Sequence, residues 1–110
     1  MNKNMRCKHF SPFDSEILNN FFAGSSPFNS KLNLWRLKDS ANCDTDVNDI
    51  ETPRHFLFHC SGTREMRKNL TEIIKVKTGK PDLTLNAIWK HDSCLFVLAE
   101  GLKNRFFPDV

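Results

Sequence analysis

The sequence predicts an all-α domain, a small bundle of about five to six short helices with one acidic loop carrying cysteine and histidine. Three observations predict it. Apolar residues recur at three- and four-residue spacing in successive windows. Ser or Thr precedes several of those windows and Gly or Pro follows them. The one run suited to a buried strand, Leu95-Phe-Val-Leu98, has no partner run elsewhere in the chain.

The first helix is expected from Phe13 to Gly24, capped by Asp14 or Ser15, with Ile17, Leu18, Phe21 and Phe22 on one face. Ser25-Ser26-Pro27 breaks the chain. A second helix follows with Ser26 as cap and Pro27 in its first position, aligning Phe28, Leu32 and Trp35. Residues 39–51 have no apolar period and read as a loop. Thr52-Pro53 repeats the cap-then-proline signal and opens a short helix through Cys60, with Phe56 and Cys60 on one side and His55 and His59 on another.

Thr63 is placed to cap a longer helix whose stripe is Met66, Leu70, Ile73 and Ile74, stopped by Thr78-Gly79-Lys80-Pro81. Leu85, Ile88 and Trp89 fit one or two turns begun at Asp82 or Thr84. A last helix is capped by Ser93, carries Leu95, Leu98, Ala99, Leu102 and Phe106, and is ended by Pro108. Residues 1–12 read as a basic N-terminal extension and 13–110 as a single small domain. Trp35 and Trp89, lying on helical stripes, are expected in the core.

A chain of 110 residues has room for one core and no more. The net charge of +3 diagnoses no partner by itself, yet it is unevenly spread. Residues 1–13 carry Lys3, Arg6 and Lys8 with no acid, and residues 61–80 carry six bases against two acids. Between them, residues 39–51 hold five acids and no base, so basic segments flank an acidic loop. Neither a secretory leader nor a run of membrane-spanning length is evident, which places the chain in an intracellular, reducing compartment. There, four cysteines are expected as thiols or metal ligands instead of disulfides.

Cys43, Asp46, His55 and Cys60 stand at the spacing C-x2-D-x8-H-x4-C. Zinc takes four sulfur, nitrogen or oxygen donors in a tetrahedron, and a pair on a loop facing a His and a Cys on the next helix can supply them. His55 and Cys60 are five residues apart, about 140° around a regular helix, so the helix must unwind for both to reach one ion. Packing without metal, with His55 and Cys60 as ordinary buried residues, is the alternative. Asp44, Asp46 and Asn48 match a calcium loop only at its start, since Asp49 and His55 occupy the places of its Gly and Glu. His55 and His59 lack the Glu of a helical zinc protease. Cys7 and His9 are a further donor pair near the terminus, and Cys94 reads as a small buried apolar residue.

Phe28 to Cys43, followed by Glu51-Thr-Pro-Arg-His55-Phe-Leu-Phe-His-Cys60 and Arg64, resembles the cysteine/histidine segment at the C-terminal end of non-LTR (LINE-like, jockey-type) retrotransposon polyproteins. The likeness covers about residues 17–67. The family pattern has a second cysteine where this chain has Asp46, and a Gly-His pair where it has Ser25-Ser26. The resemblance implies a zinc-knuckle-like segment that helps hold RNA or DNA. It further implies a fragment without the reverse transcriptase or RNase H domains, which lie upstream in the family, and so without catalysis of its own. Arg64, Arg67, Lys68 and Lys75 are the expected phosphate contacts, giving weak and salt-sensitive binding, with Phe or Trp side chains as base-stacking partners, although a core place suits Trp35 and Trp89 better than stacking. A small helical structural or protein-interaction module is the competing expectation.

Overall fold

The computed structural model describes residues 10–108 and is all-α. Five α-helices, α1 (Pro12–Phe22), α2 (Asn29–Leu34), α3 (Arg64–Thr78), α4 (Leu85–Lys90) and α5 (Asp92–Phe106), are joined by loops and one irregular turn. Most of residues 1–12, with the Cys7/His9 pair, lie outside the described residues. No helix among the described residues is long and apolar enough to cross a membrane.

The last helix is the hub: α5 packs against α1, α3 and α4. Leu95, Leu98, Ala99 and Leu102 give it one continuous buried face, with Cys94 fully buried beside them as expected. Facing it are Ile17, Leu18 and Phe21 of α1, Met66, Leu70 and Ile74 of α3, and Ile88 of α4. Each such aliphatic side chain contributes about 1.5–3 kcal/mol by leaving water. Where α5 crosses α3, the Met66 thioether packs against Gly101, and a Cβ there would force that side chain to shift. Phe28 anchors the other end of the core, its ring 4.9 Å from Phe106 and 5.1 Å from Phe56. Phe10, assigned to the extension by its sequence position, is in the core and stacks on Phe96 at 4.4 Å.

Several helix starts differ from the sequence reading. Ser11, not Asp14 or Ser15, caps α1: its hydroxyl accepts from the Asp14 amide at 3.1 Å, with Pro12 in the first helical position. Thr84 caps α4 as expected, accepting from Ala87 N–H at 3.1 Å. Asp92, not Ser93, opens α5, and no side chain caps it. Thr63 stands at the start of α3 but spends its hydroxyl on the Phe56 carbonyl at 2.6 Å.

The second helix begins at Asn29, two residues later than Pro27, because its cap comes from across the fold. Glu51 Oε1 accepts from the Asn29 amide at 2.8 Å, and the Glu51 carbonyl accepts from Ser30 N–H at 3.0 Å. Trp35, expected in the core, ends this helix on the surface with 52% of its area exposed. Trp89 does reach the core margin, edge-on to Phe22 at 4.8 Å.

Candidate metal centre

The acidic loop folds as an irregular hairpin. An isolated antiparallel bridge pairs Asn42 with Ile50, Cys43 N–H donates to the Asp49 carbonyl at 2.7 Å, and Asp49 N–H donates to Asp46 O at 2.9 Å. This ladder turns the Cys43 side chain inward, where it is buried. A network at the hairpin's base holds it against the helices. Arg105 donates to both Glu51 carboxylate oxygens, at 2.7 Å from Nε and 2.6 Å from Nη2. Asn29, wholly buried, bridges the same groups. Its amide donates to Asn42 O at 2.7 Å, while its oxygen accepts from Arg105 Nη2 at 3.1 Å and Lys38 Nζ at 3.0 Å. The carboxylate beside it raises the pKa of Arg105 further.

His55 and Cys60 come from the segment opened by Thr52-Pro53. Thr52 accepts the His55 amide on its hydroxyl at 3.0 Å, as its cap position requires. Over His55–His59 the chain then adopts a π-turn in place of α-helix, with Cys60 N–H bonded to His55 O at 2.7 Å. A turn closed over five residues carries the fifth position back round to the first. That resolves the 140° problem: His55 and Cys60 face the same side, and the helical turn ends as expected next to Ser61, with Cys60 in extended conformation. It also separates the two histidines, since His55 is buried and His59 exposed.

Cys43, His55 and Cys60 are all buried, and one ligand atom from each lies within 4.8 Å of the others. This group can hold a metal ion. The two sulfurs are 3.6 Å apart, close to the edge of about 3.8 Å that two zinc thiolates span in a tetrahedron. Among the described residues His55 Nε2 is buried with no hydrogen-bond partner, and a buried polar atom left so costs about 1–3 kcal/mol.

Of the four residues in the C-x2-D-x8-H-x4-C spacing, Asp46 stands outside the tight group. It forms a second, overlapping group with Asp49 and His55. Its Oδ2 lies 3.4 Å from His55 Nε2, within ion-pair reach though not aligned for a hydrogen bond. Ser61 holds this carboxylate, donating its amide at 2.9 Å and its hydroxyl to the other oxygen. Those bonds from Ser61, side chain first, hold the Asp46 pKa below the usual carboxylate value.

Burial pushes the Cys60 thiol pKa up, against a backbone hydrogen bond from Gly62 that favours the thiolate. Gly62 packs on that sulfur and on Thr45, where a Cβ would stand 3.5 Å from Cys60 Sγ and 3.0 Å from Thr45 Oγ1. A cavity of about 200 Å³ lies beside this group, lined by Cys43, Cys60, Glu51, Thr45 and Arg105 among others.

The basic side chains fall on α3, directly after the turn. At about 100° per residue, Arg64, Lys68 and Lys75 share one stripe opposite the buried Met66, Leu70 and Ile74, and all three are exposed. Arg67 is set apart: half-buried, it donates to Thr63 Oγ1 at 3.1 Å and its charge acts on Asp46.

Sequence reasoning missed Asn29, Glu51, Arg105, Ser61 and Gly62 as parts of this centre. Glu51 and Asn29 stand within the segments that carry the family resemblance, which is the only signal that could have raised them; Arg105 had none. Comparison of the chain with protein-family models, with curated proteins and with solved structures finds no match.

Proposed function

We propose that this chain is a non-catalytic, zinc-braced module that contacts nucleic acid weakly, akin to the C-terminal cysteine/histidine segment of a non-LTR retrotransposon reverse transcriptase polyprotein. The observation that carries the proposal is the buried Cys43, His55 and Cys60 group with its unbonded imidazole nitrogen. Two thiolates and an imidazole are a donor set that suits zinc better than calcium or magnesium. Asp46, already beside His55, is the protein group best placed to complete four-coordination. Zinc there supplies the charge that neutralises two buried thiolates and fastens the hairpin to the π-turn.

Arg64, Lys68 and Lys75 then project from a braced scaffold as phosphate contacts, with Arg67 mainly a support for Asp46. Three contacts make a weak, sequence-tolerant interaction. Fluorescence anisotropy with labelled single-stranded RNA tests it. Binding is expected at low salt, with log affinity falling against log salt at a slope of about −2 for three single-strand contacts. No binding at low salt, or binding indifferent to salt, overturns the nucleic-acid reading.

The second reading, a metal-free helical structural or protein-interaction module, is favoured by Ser61, which already satisfies Asp46. Thermal unfolding with zinc and with chelator separates the two. A higher Tm with zinc supports the first reading, and identical curves support the second.

A further inference from the structure

We propose that Trp35, with Lys31 and Arg36 beside it, is a base-stacking site for single-stranded nucleic acid. This rests on the nucleic-acid reading above and adds to it a second contact surface away from α3.

Trp35 is 52% exposed at the end of α2, between Leu34 and Leu37, which are 73% and 72% exposed. Large apolar side chains are thus turned outward along one short stretch. Residues 29–38 also carry three cations, Lys31, Arg36 and Lys38, and no acid. Lys38 is committed to Asn29 and Asp44. Lys31 lies over the indole, its Nζ 5.7 Å from the ring centroid, and Arg36 is exposed. An open aromatic face next to two cations complements a ligand with flat π-faces joined by phosphates. An apolar partner has no use for that charge.

The backbone supplies an independent reason. Helix α2 ends in a Schellman motif: Leu37 N–H donates to Leu32 O at 2.8 Å, and Arg36 N–H donates to Asn33 O at 3.0 Å. The motif requires its next-to-last residue to be left-handed, and Arg36 takes that place at φ 62°. The chain uses glycine at the left-handed position that follows α1 and α3, Gly24 at φ 76° and Gly79 at φ 83°. At α2 it places arginine, the costlier choice, next to its most exposed tryptophan. Departures from local preference of this kind concentrate at functional sites.

The test uses the zinc-loaded chain and an oligouridylate of about twelve nucleotides. In a Trp89→Phe background Trp35 is the sole tryptophan, and its emission is expected to be quenched on titration. Trp35→Ala is expected to weaken binding about tenfold, while Trp35→Phe, which keeps a π-face, retains most of it. Arg36→Gly is expected to weaken binding severalfold with no loss of thermal stability, which separates a contact from a structural role. Unchanged RNA affinity in Trp35→Ala overturns the inference and leaves the α3 reading standing. Failure of the unsubstituted chain to bind RNA at all overturns both. Self-association that requires Trp35, without an RNA contribution, overturns the inference by assigning this face to a second copy of the chain.

Discussion

The Cys60 amide donates to the His55 carbonyl at 2.7 Å, and this one hydrogen bond puts an imidazole and a thiol five residues apart on the same side of the chain. In a regular helix Cys60 would point away from the pair made by His55 and Cys43. The π-turn instead brings three donors from two separate segments to within 4.8 Å. The turn is held at both ends, by Thr52 under the His55 amide and by the Thr63 hydroxyl on the Phe56 carbonyl.

In the proposed zinc site Asp46 is the fourth donor, and Ser61 acts on metal affinity through Asp46. Asp46→Ala is expected to weaken zinc binding by about 10–100-fold, and Ser61→Ala by less, since one of Asp46's two bonds survives from the amide. Asp46→Cys is expected to tighten binding by adding a third thiolate. Competition with a chromophoric chelator measures all three. An unchanged affinity in both Asp46 variants would show that this carboxylate neither ligates nor orients.

Metal affinity is expected to rise with pH. Each thiol must shed a proton to ligate, so below the thiol pKa values the apparent affinity gains about two decades per pH unit for two cysteines. Burial raises the Cys60 value, which extends this rise to higher pH than for an exposed thiol. Asp46 behaves oppositely. Its folded pKa is lowered from 3.8, so its bonds with Ser61 persist at neutral pH and are lost only as pH falls through that lowered value. Chelator competition at a series of pH values reads the first slope directly.

Arg105 is expected to matter more to stability than any exposed cation. Glu51 is 3% exposed, and removing its partner in Arg105→Met leaves an uncompensated buried carboxylate, a loss of about 3–5 kcal/mol. Adding Glu51→Gln is expected to recover part of it. Denaturant unfolding of the two variants checks both statements. A loss below about 1 kcal/mol in the single variant would place the pair effectively in water.

Arg36→Gly is expected to stabilise the fold. A left-handed non-glycine residue costs about 1–2 kcal/mol, and relieving it should raise Tm by about 4 °C or more in a domain of this size. A fall in Tm would mean that the Arg36 side chain makes a compensating contact.

Much of the scaffold was legible because it is local. The stripes of α1, α3 and α5 follow from spacing alone, and Thr52 and Thr84 cap where the sequence puts them. What escaped depends on residues far apart in the chain. Glu51 displaces the start of α2 by capping it across 22 positions, and Arg105 meets Glu51 across 54. Trp35 sits on a helical stripe, yet its helix is too short to have a second buried turn, so periodicity misplaced it. The candidate site was legible as a ligand list, including Cys43, His55 and Cys60. The π-turn that brings them together was not, because helix propensity does not distinguish a bond closed over four residues from one closed over five.

Cobalt(II) titration of the reduced chain tests the central claim most directly. The account predicts intense thiolate-to-cobalt absorption that saturates at one ion per chain, disappears in Cys43→Ser and in Cys60→Ser, and weakens in His55→Ala. Absence of that absorption with both thiols reduced, or its persistence in Cys60→Ser, would contradict it.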